Sequence, residues 1–313
     1  MANPATGGNT RIVMDFETAF KTAPALATGV IIPHSTCDVK VDQAPQQSSG
    51  LRSGRHSSLP FYGNKVINGT LTGPVGEESI GFILKTFFGA PDSTAVHLFE
   101  IEETTPSFIV SKEFSDLDLY YVYSGCKANS LSFTFNNNNE LLYNLGFLAA
   151  EETKGTSPYD SSPESMYDEL TYQNVDLSTV EEAGAETDIF EEITLNVTQN
   201  PTMAYGLSGG GVATYADHGK VEVSGSLRGV FTNDNLLVKG RGHTESRLNL
   251  VLRKSSGYYL RFYIPELQFS QESPAITGPG MAMLNLTFVG YYQDSVDADD
   301  VVIILNNGRT DYT

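Results

Sequence analysis

Apolar and polar residues alternate along much of this sequence with the period of a β-strand. Leu131, Phe133 and Phe135 alternate with serine and threonine. A strand with this pattern buries one face and leaves the other in water, as in antiparallel sheets. The alternation recurs in the second half, at Leu248, Leu250, Leu252, Leu260, Phe262, Ile264, Leu284, Leu286 and Phe288. The pattern predicts a mainly β fold.

One segment has the period of a helix instead. Its apolar residues are Ile80, Ile83, Leu84, Phe87 and Phe88. Glu77 and Glu78 stand where negative charge favours a helix start, and Gly89 and Pro91 mark the end. The spacing predicts a capped amphipathic helix over 77–88. We expect its apolar stripe to pack against a sheet rather than to dock a partner.

The chain contains an internal duplication. A shift of 156 residues, without a gap, aligns DVKVDQAPQQSSGLRSG at 38–54 with TLNVTQNPTMAYGLSGG at 194–210, and INGTLTGPV with VSGSLRGVF. The shift is 138 at Tyr120–Tyr121 and 141 where NLGFLA aligns with NLTFVG. The second copy is therefore shorter, and we expect a reduced helix near Asp234–Lys239.

The duplication predicts two tandem β-sandwich or barrel domains. We place an N-terminal arm at 1–30, the first domain at 31–150, the second at 193–292 and a C-terminal arm at 293–313. The segment between the domains, 151–192, holds 13 acidic residues and one lysine. Such a composition cannot form a core of its own, so we expect an acidic linker or surface crossover, partly ordered by packing on the domains.

Composition narrows the class of protein. The net charge of −19 argues against tight binding to nucleic acid phosphates or to an anionic membrane. No apolar run approaches the roughly 20 residues that cross a bilayer, and no secretion signal is recognisable, so we expect synthesis in a cytoplasm. Cys37 and Cys126 are expected to be buried free thiols.

The sequence lacks the signatures of a catalytic, cofactor or metal site. The five histidines show no paired spacing and no nearby cysteine, and SGGGVATY lacks the lysine of a phosphate-binding loop. We therefore expect no enzyme, no cofactor and no metal. Two other classes stay open: a secreted or cell-surface tandem β-sandwich binding module, and a β-sandwich hydrolase using two of the 38 carboxylates.

Several motifs, taken in order with the duplication, resemble the two-repeat tail tube proteins of long-tailed phages. They are RIVMDFETAF, SGR at 53–55, GTLTGPV with IGFILKTFFGA, HLFE, PSF and YYVYSGCKANSLSF. The resemblance runs along most of the chain. It implies β-sandwich-like domains with a flanking helix, corresponding here to 77–88, and inner sheets that join between neighbours into a barrel around a lumen.

The resemblance also implies binding partners and a location for the protein. The loop QQSSGLRSGRHSS would contact the adjacent ring, through Ser49, Gly50, Leu51, Arg52 and Arg55. The partners would be further copies of the chain, the tail terminator, tape measure and distal tail proteins, and double-stranded DNA that passes without specific binding. The protein would be part of the virion and assemble in the host cytoplasm. Flexible and contractile tails both remain open.

Sheet edges explain why such a domain would form a ring. An open sheet leaves unpaired backbone donors and acceptors, and joining edges around a ring satisfies them. Three chains with two domains each would make six sectors, and six chains are the alternative. An acidic lumen would let DNA slide where a basic one would hold it. Which carboxylates face inward is not readable from the sequence.

Overall fold

The chain is described by a computed structural model covering residues 4–50, 53–92, 96–136, 139–254, 257–274, 278–292 and 299–312. The fold is mainly β with large sheets, as the alternation predicts. Leu51 and Arg52 lie outside the described residues.

The first half contributes twelve strands and the longer helix among the described residues. They are β1 (Thr10–Phe16), β2 (Val30–Ile31), β3 (Thr36–Cys37), β4 (Lys40–Asp42), β5 (Pro45–Gln46), β6 (Phe61–Tyr62), β7 (Val66–Pro74), α1 (Ser79–Phe88), β8 (His97–Phe99), β9 (Phe108–Phe114), β10 (Leu119–Asn136), β11 (Leu142–Ala149) and β12 (Glu151–Gly155).

The remainder repeats this order in a shorter form. It comprises β13 (Glu164–Ser165), β14 (Leu177–Glu182), β15 (Ala185–Glu186), β16 (Phe190–Thr198), β17 (Thr202–Tyr205), β18 (Ala213–Asp217), β19 (Glu222–Val230), α2 (Asn235–Gly242), β20 (Ser246–Arg253), β21 (Tyr259–Phe269), β22 (Met283–Gly290) and β23 (Val302–Asn306). Helix α1 lies within the predicted 77–88, and α2 lies at the predicted reduced equivalent.

Strand β10 belongs to two sheets of the first repeat. Its first part pairs with β9 and β12, in an outer sheet that continues to β1 and β2. Its second part pairs with β11, in an inner sheet that continues to β7, β3 and β4. The strand bends between the two sheets at Gly125, where φ is 62° and the register with β9 shifts, and the register with β11 shifts again between Ala128 and Ser130.

The second repeat has the same plan. Strand β21 pairs with β20 and β23 along its first part and with β22 at its end. Strand β14 pairs with β20 as β1 pairs with β9. Strand β8 of the first repeat pairs with β23, so the two repeats also meet through their outer sheets.

Residues expected to be arms and linker contribute strands to these sheets. Strand β1 lies within 1–30, and β23 lies within 293–313. The crossover after β12 passes over the first repeat, where the Tyr159 hydroxyl donates to Asp15 and the Asp160 carboxylate accepts from the Gly29 amide. Met166 and Tyr172 of the crossover are buried in the core.

Helix α1 is packed into the core. Its five apolar residues named above are each at most 2% exposed. The Glu169 carboxylate of the crossover accepts hydrogen bonds from the amides of Glu78 and Ser79, both at 2.8 Å, and so satisfies the start of the helix. Gly89, at φ 97°, ends the helix.

Candidate functional site: a joined sheet with two free edges

The inner sheets of the two repeats are joined edge to edge. Strand β10 pairs antiparallel with β16, from Ser130 opposite Thr198 to Asn136 opposite Glu192. We call this pairing the junction. It makes one continuous sheet in the order β7, β11, β10, β16, β19, β22, which we call the joined sheet.

The junction is sealed on its core side. The Phe262 ring lies 4.8 Å from the Phe133 ring and 5.3 Å from the Phe135 ring, measured between centroids, and so connects the repeats. Gln199 extends the contact, because its amide nitrogen donates to the Asn129 carbonyl at 2.9 Å and its side chain to the Phe87 carbonyl at 2.6 Å. The junction therefore combines ladder hydrogen bonds with buried aromatic packing.

The joined sheet ends in two edges. At the first edge, β3 and β4 pair with β7 and with no other strand of the described residues. The second edge is formed by residues 268–274, which comprise the end of β21 and the segment that follows it. Gln268 and Phe269 pair with β22, and the Ser270 amide donates to the Thr287 carbonyl at 2.8 Å. No strand of the described chain covers the outer side of Gln268–Pro274.

The duplication relates these free edges to the two strands of the junction. The shift of 156 places Lys40, Val41 and Asp42 on Asn196, Val197 and Thr198 of β16. At the second edge, the Ser270 amide bonds the Thr287 carbonyl, and Thr287 aligns with Gly146 of the first repeat. Gly146 pairs with Ser130 of β10, so Ser270 is equivalent to Ser130. The second edge is thus equivalent to β10, and the first edge to β16.

The joined sheet has one covered face and one uncovered face. The covered face is the core, formed by residues such as Leu131, Leu195 and Leu286. The uncovered side, which we call the open face, carries mostly neutral polar side chains. They are Asn68, Thr70, Thr72, Ser130, Ser132, Thr134, Asn136, Asn144, Thr194, Asn196, Thr198, Ser224, Ser226, Asn285 and Thr287.

Charged side chains are sparse on the open face. Within its six strands the described charged residues are Glu192, Glu222 and Arg228, and its two edges add Lys40 and Asp42 of β4 and Glu272 after β21. Glu192 and Arg228 stand directly opposite each other on β16 and β19, so their charges offset, and Glu222 lies at the first position of β19. The remaining positions are apolar or glycine.

Two hairpin loops project from the same end of the joined sheet. The first, residues 43–65, contains β5 and β6, and the second, 199–221, contains β17 and β18. They touch each other, because the Tyr205 hydroxyl donates to the Lys65 carbonyl at 2.9 Å and the Lys65 amide to the Gly211 carbonyl at 2.8 Å. Large apolar side chains are exposed on both loops: Leu59, Phe61, Tyr62, Leu207 and Tyr215.

The residues predicted for the contact between rings lie in the first hairpin loop. Ser49, Gly50 and Arg55 are exposed, and the Ser58 hydroxyl donates to the Gly50 carbonyl at 2.8 Å. Leu51 and Arg52 are not among the described residues. The loop contains Arg52, Arg55 and Lys65 and no acidic residue.

A group of buried carboxyls surrounds the start of α1. Burial raises the pKa of Glu169, although the hydrogen bonds that it accepts from the helix amides act in the opposite direction. Burial also raises the pKa of Glu77, although the charge of Lys254 acts in the opposite direction. The Lys254 ammonium is itself bonded to Asp176 at 2.6 Å. These groups tie the crossover to both repeats, so their role is in the fold.

The described residues show no assembled reactive centre. They contain no cluster of three His, Cys, Asp or Glu side chains that would hold a metal ion. Burial raises the pKa of both cysteine thiols, which lowers their reactivity. Neither α-helix described here has the length and apolarity needed to span a membrane.

Comparison with known proteins gives one family. A family model described as phage tail tube protein matches residues 7–290. No curated protein matches the chain. The matched range includes the joined sheet, both hairpin loops and both helices.

Proposed function

The chain belongs to the phage tail tube protein family, and from that premise we propose that it is the major tail tube subunit of a long-tailed phage. Copies of the chain would close into rings, and the rings would stack into a conduit for DNA. The family indicates a structural role rather than an enzymatic one.

The junction is the observation that carries this proposal. One chain already joins two inner sheets edge to edge through β10 and β16, and it leaves free the two edges that are equivalent to those strands. A second copy can therefore repeat the junction between chains. Because each chain supplies two sectors, three chains would close a pseudo-sixfold ring, and a ring of six chains is the alternative.

The hairpin loops support stacking of rings in one direction. The first hairpin loop is basic, whereas the opposite end of the joined sheet carries Glu140, Asp188, Glu191 and Glu192. Placing the loop of one ring on the acidic end of the next brings opposite charges together and covers the exposed apolar residues. Such a head-to-tail contact does not close and so makes a filament.

The place of assembly and the other partners of the subunit follow from the proposed role. The subunit would assemble in the cytoplasm of the bacterial host and become part of the virion. Its other partners would be the terminator, tape measure and distal tail proteins at the ends and inside of the tube. Double-stranded DNA would pass through without specific binding.

Electron microscopy of the purified protein tests the proposal. We expect rings with six sectors, and tubes at high concentration; native mass spectrometry then separates three from six chains of 34.0 kDa each. Monomers alone at high concentration would contradict the proposal.

A single substitution tests edge pairing directly. The Asp38 amide donates to the Thr70 carbonyl of β7, so by alternation the Val41 amide points to the free side. Val41→Pro removes that donor without removing a bond to β7. We expect the variant to fold, as judged by circular dichroism, and to remain monomeric. Normal rings from the variant would argue against pairing at this edge.

A further inference from the structure

We infer that the joint between two chains of a ring is open on its outer side, whereas the joint between the two repeats of one chain is closed there. The inference rests on the proposed ring and concerns how its sectors are held together. Within a chain the repeats meet twice, through the junction and through a contact of their outer sheets, which we call the outer joint. The chain contains the parts of an outer joint only once.

The outer joint is formed by the segment between α1 and β9, residues 89–107. It contains β8, which pairs antiparallel with β23 of the second repeat, His97 opposite Leu305 and Phe99 opposite Ile303. These four side chains are each at most 1% exposed. The pairing therefore continues the core from one repeat into the other.

Two further contacts of this segment reach the second repeat. The Ile101 amide donates to the Asp299 carboxylate at 2.7 Å, just before β23. The Thr105 hydroxyl lies 3.3 Å from Nδ1 of His218, in the second hairpin loop. The segment is thus tied to two separate parts of the second repeat.

The residues after β23 fasten the outer joint onto α1. Tyr312 is 1% exposed and lies directly over Gly81, where a Cβ would come within 2.1 Å of the Tyr312 ring. The Arg309 guanidinium bonds the carboxylates of Glu78 at 3.1 Å and Glu164 at 2.7 Å. The end of the second repeat is therefore held on the helix of the first.

The second repeat lacks the segment that would make this joint with the next chain. Strand β12 is the counterpart of β23, since β12 pairs with β10 as β23 pairs with β21. The counterpart of residues 89–107 is the connection between α2 and β20, which consists of residues 243–245 alone. Such a short connection spans at most about 10 Å and cannot supply a strand like β8 to a neighbour.

Strand β12 accordingly has an unpaired side. Among the described residues it pairs with β10 and with no other strand. Thr153 and Lys154 are exposed, and Glu151 forms an ion pair with Lys21 at 2.9 Å. Charged side chains on an edge strand discourage further pairing. The outer side of each joint between chains therefore stays open.

The inner side of the joint between chains is also less apolar than the junction. Because Ser270 is equivalent to Ser130, Ser273 stands where Phe133 stands in the junction. Phe133 is fully buried against Phe262, and a serine cannot supply that aromatic packing. Rigid joints within chains thus alternate with hinges between chains, so a ring can change shape at its chain boundaries while each chain keeps its form.

Hydrogen exchange in dissociated subunits and in assembled tubes tests the inference. We expect the β12 amides that point away from β10 to exchange in tubes within about twofold of their rate in subunits, because no strand covers them. Strands β3 and β4 should become about tenfold slower or more, because they pair with the neighbouring chain. Protection of β12 on assembly to the same degree as β3 and β4 would overturn the inference.

End-on electron micrographs of rings give an independent measure. We expect one cleft in the outer rim at each boundary between chains, and none between the repeats of a chain. A rim that is closed at every joint would overturn the inference.

Gly81→Ala tests whether the outer joint within a chain is held as described. The added Cβ displaces Tyr312, so we expect the β23 amides that face β8 to exchange about fivefold faster or more, while β16 is unchanged. Gly7→Ala, where no atom lies within 4 Å, is the control. Unchanged exchange of β23 in Gly81→Ala would contradict a closed outer joint. Failure of the wild-type protein to form tubes would instead count against the proposed function itself.

Discussion

The side-chain amide of Gln199 donates a hydrogen bond to the backbone carbonyl of Phe87 at 2.6 Å. Gln199 follows β16 of the second repeat, and Phe87 lies in the last turn of α1 of the first repeat. Gln199 is only 3% exposed, so the bond is made away from water. The contact fixes the helix of one repeat against the inner sheet of the other.

Replacing this glutamine should weaken the association of the two repeats. In Gln199→Leu the Phe87 carbonyl loses a buried partner, and we expect a loss of about 1–3 kcal/mol in the free energy of unfolding. Urea denaturation measures it. Gln43→Leu is the matched control, since Gln43 is the aligned residue and its side chain bonds the Gly63 carbonyl within a partly exposed loop. Equal losses in the two variants would contradict the role of the junction.

Two glycines aligned by the duplication mark the same close approach of backbone. A Cβ at Gly229 would lie 2.3 Å from the Ile189 carbonyl oxygen, and one at Gly73 would lie 2.4 Å from that of Pro33. Gly229→Ala should therefore cost about 1–3 kcal/mol through overpacking, seen as a lower Tm. Gly7→Ala, where no atom lies within 4 Å, should leave the Tm unchanged. An unchanged Tm for Gly229→Ala would show that the strand can shift freely.

The fold could be predicted from the sequence where the pattern is local or repeated. The mainly β fold and both helices were indicated by local or repeated signals: alternation in β10 and β22, helical spacing in α1 and the segments that recur in both copies. The use of β10 by two sheets was not predictable, because it depends on a bend at Gly125 and on partners far along the chain.

The candidate site was predictable only in part. The argument that open sheet edges pair around a ring does not identify which strands pair. The pairing of β10 with β16 joins residues more than 50 positions apart in the chain. The sequence also could not separate the mostly uncharged polar positions of the open face from the acidic crossover. The signal was present as serine, threonine and asparagine at alternate positions, but alternation does not say which polar face turns toward an axis.

The buried carboxyl of Glu77 should make stability depend on pH. Burial raises its pKa above the ordinary value of 4.5, and its Oε1 atom has no hydrogen-bond partner among the described residues. The folded state therefore holds the proton more tightly than the unfolded state, and this contribution is lost as pH rises from about 4.5 through the folded pKa.

Glu77→Gln removes that dependence. At pH 7 we expect the variant to have a Tm higher by about 2 °C, because an amide carries no charge to desolvate. At pH 4 the difference should shrink, since the wild-type carboxyl is protonated there. Differential scanning calorimetry at both pH values measures it. A variant that is less stable at pH 7 would show that the Lys254 charge outweighs burial.

The first hairpin loop should affect stacking more than folding. Reversing its charges in Arg52→Glu and Arg55→Glu would place like charges against the acidic end of the next ring. We expect shorter tubes in electron micrographs and an unchanged Tm. The same reversal at Arg241 and Arg247, which are exposed on the second repeat, is the control. A lowered Tm with normal tube length would contradict this role.

The junction also predicts the register between neighbouring chains. Within the chain, Ser132 stands opposite Asn196. Because Ser270 is equivalent to Ser130, Glu272 is equivalent to Ser132. Lys40 is equivalent to Asn196, so the junction repeated between chains places Glu272 of one chain opposite Lys40 of the next. The two side chains have opposite charge. Because the Gln199 amide bonds the Asn129 carbonyl, alternation makes this pair non-hydrogen-bonded, with Cα atoms about 4.5 Å apart.

A disulfide tests that register. We expect Lys40→Cys combined with Glu272→Cys to form an intermolecular disulfide in assembled rings, since the Cα separation falls within the range that a disulfide accepts. Non-reducing electrophoresis should show a ladder that ends at the number of chains per ring, which also distinguishes three chains from six. Lys40→Cys with Ser270→Cys, displaced by two residues, is the control and should link poorly. Efficient linking of the control instead would move the register by two residues and separate Glu272 from Lys40, although edge pairing itself would stand.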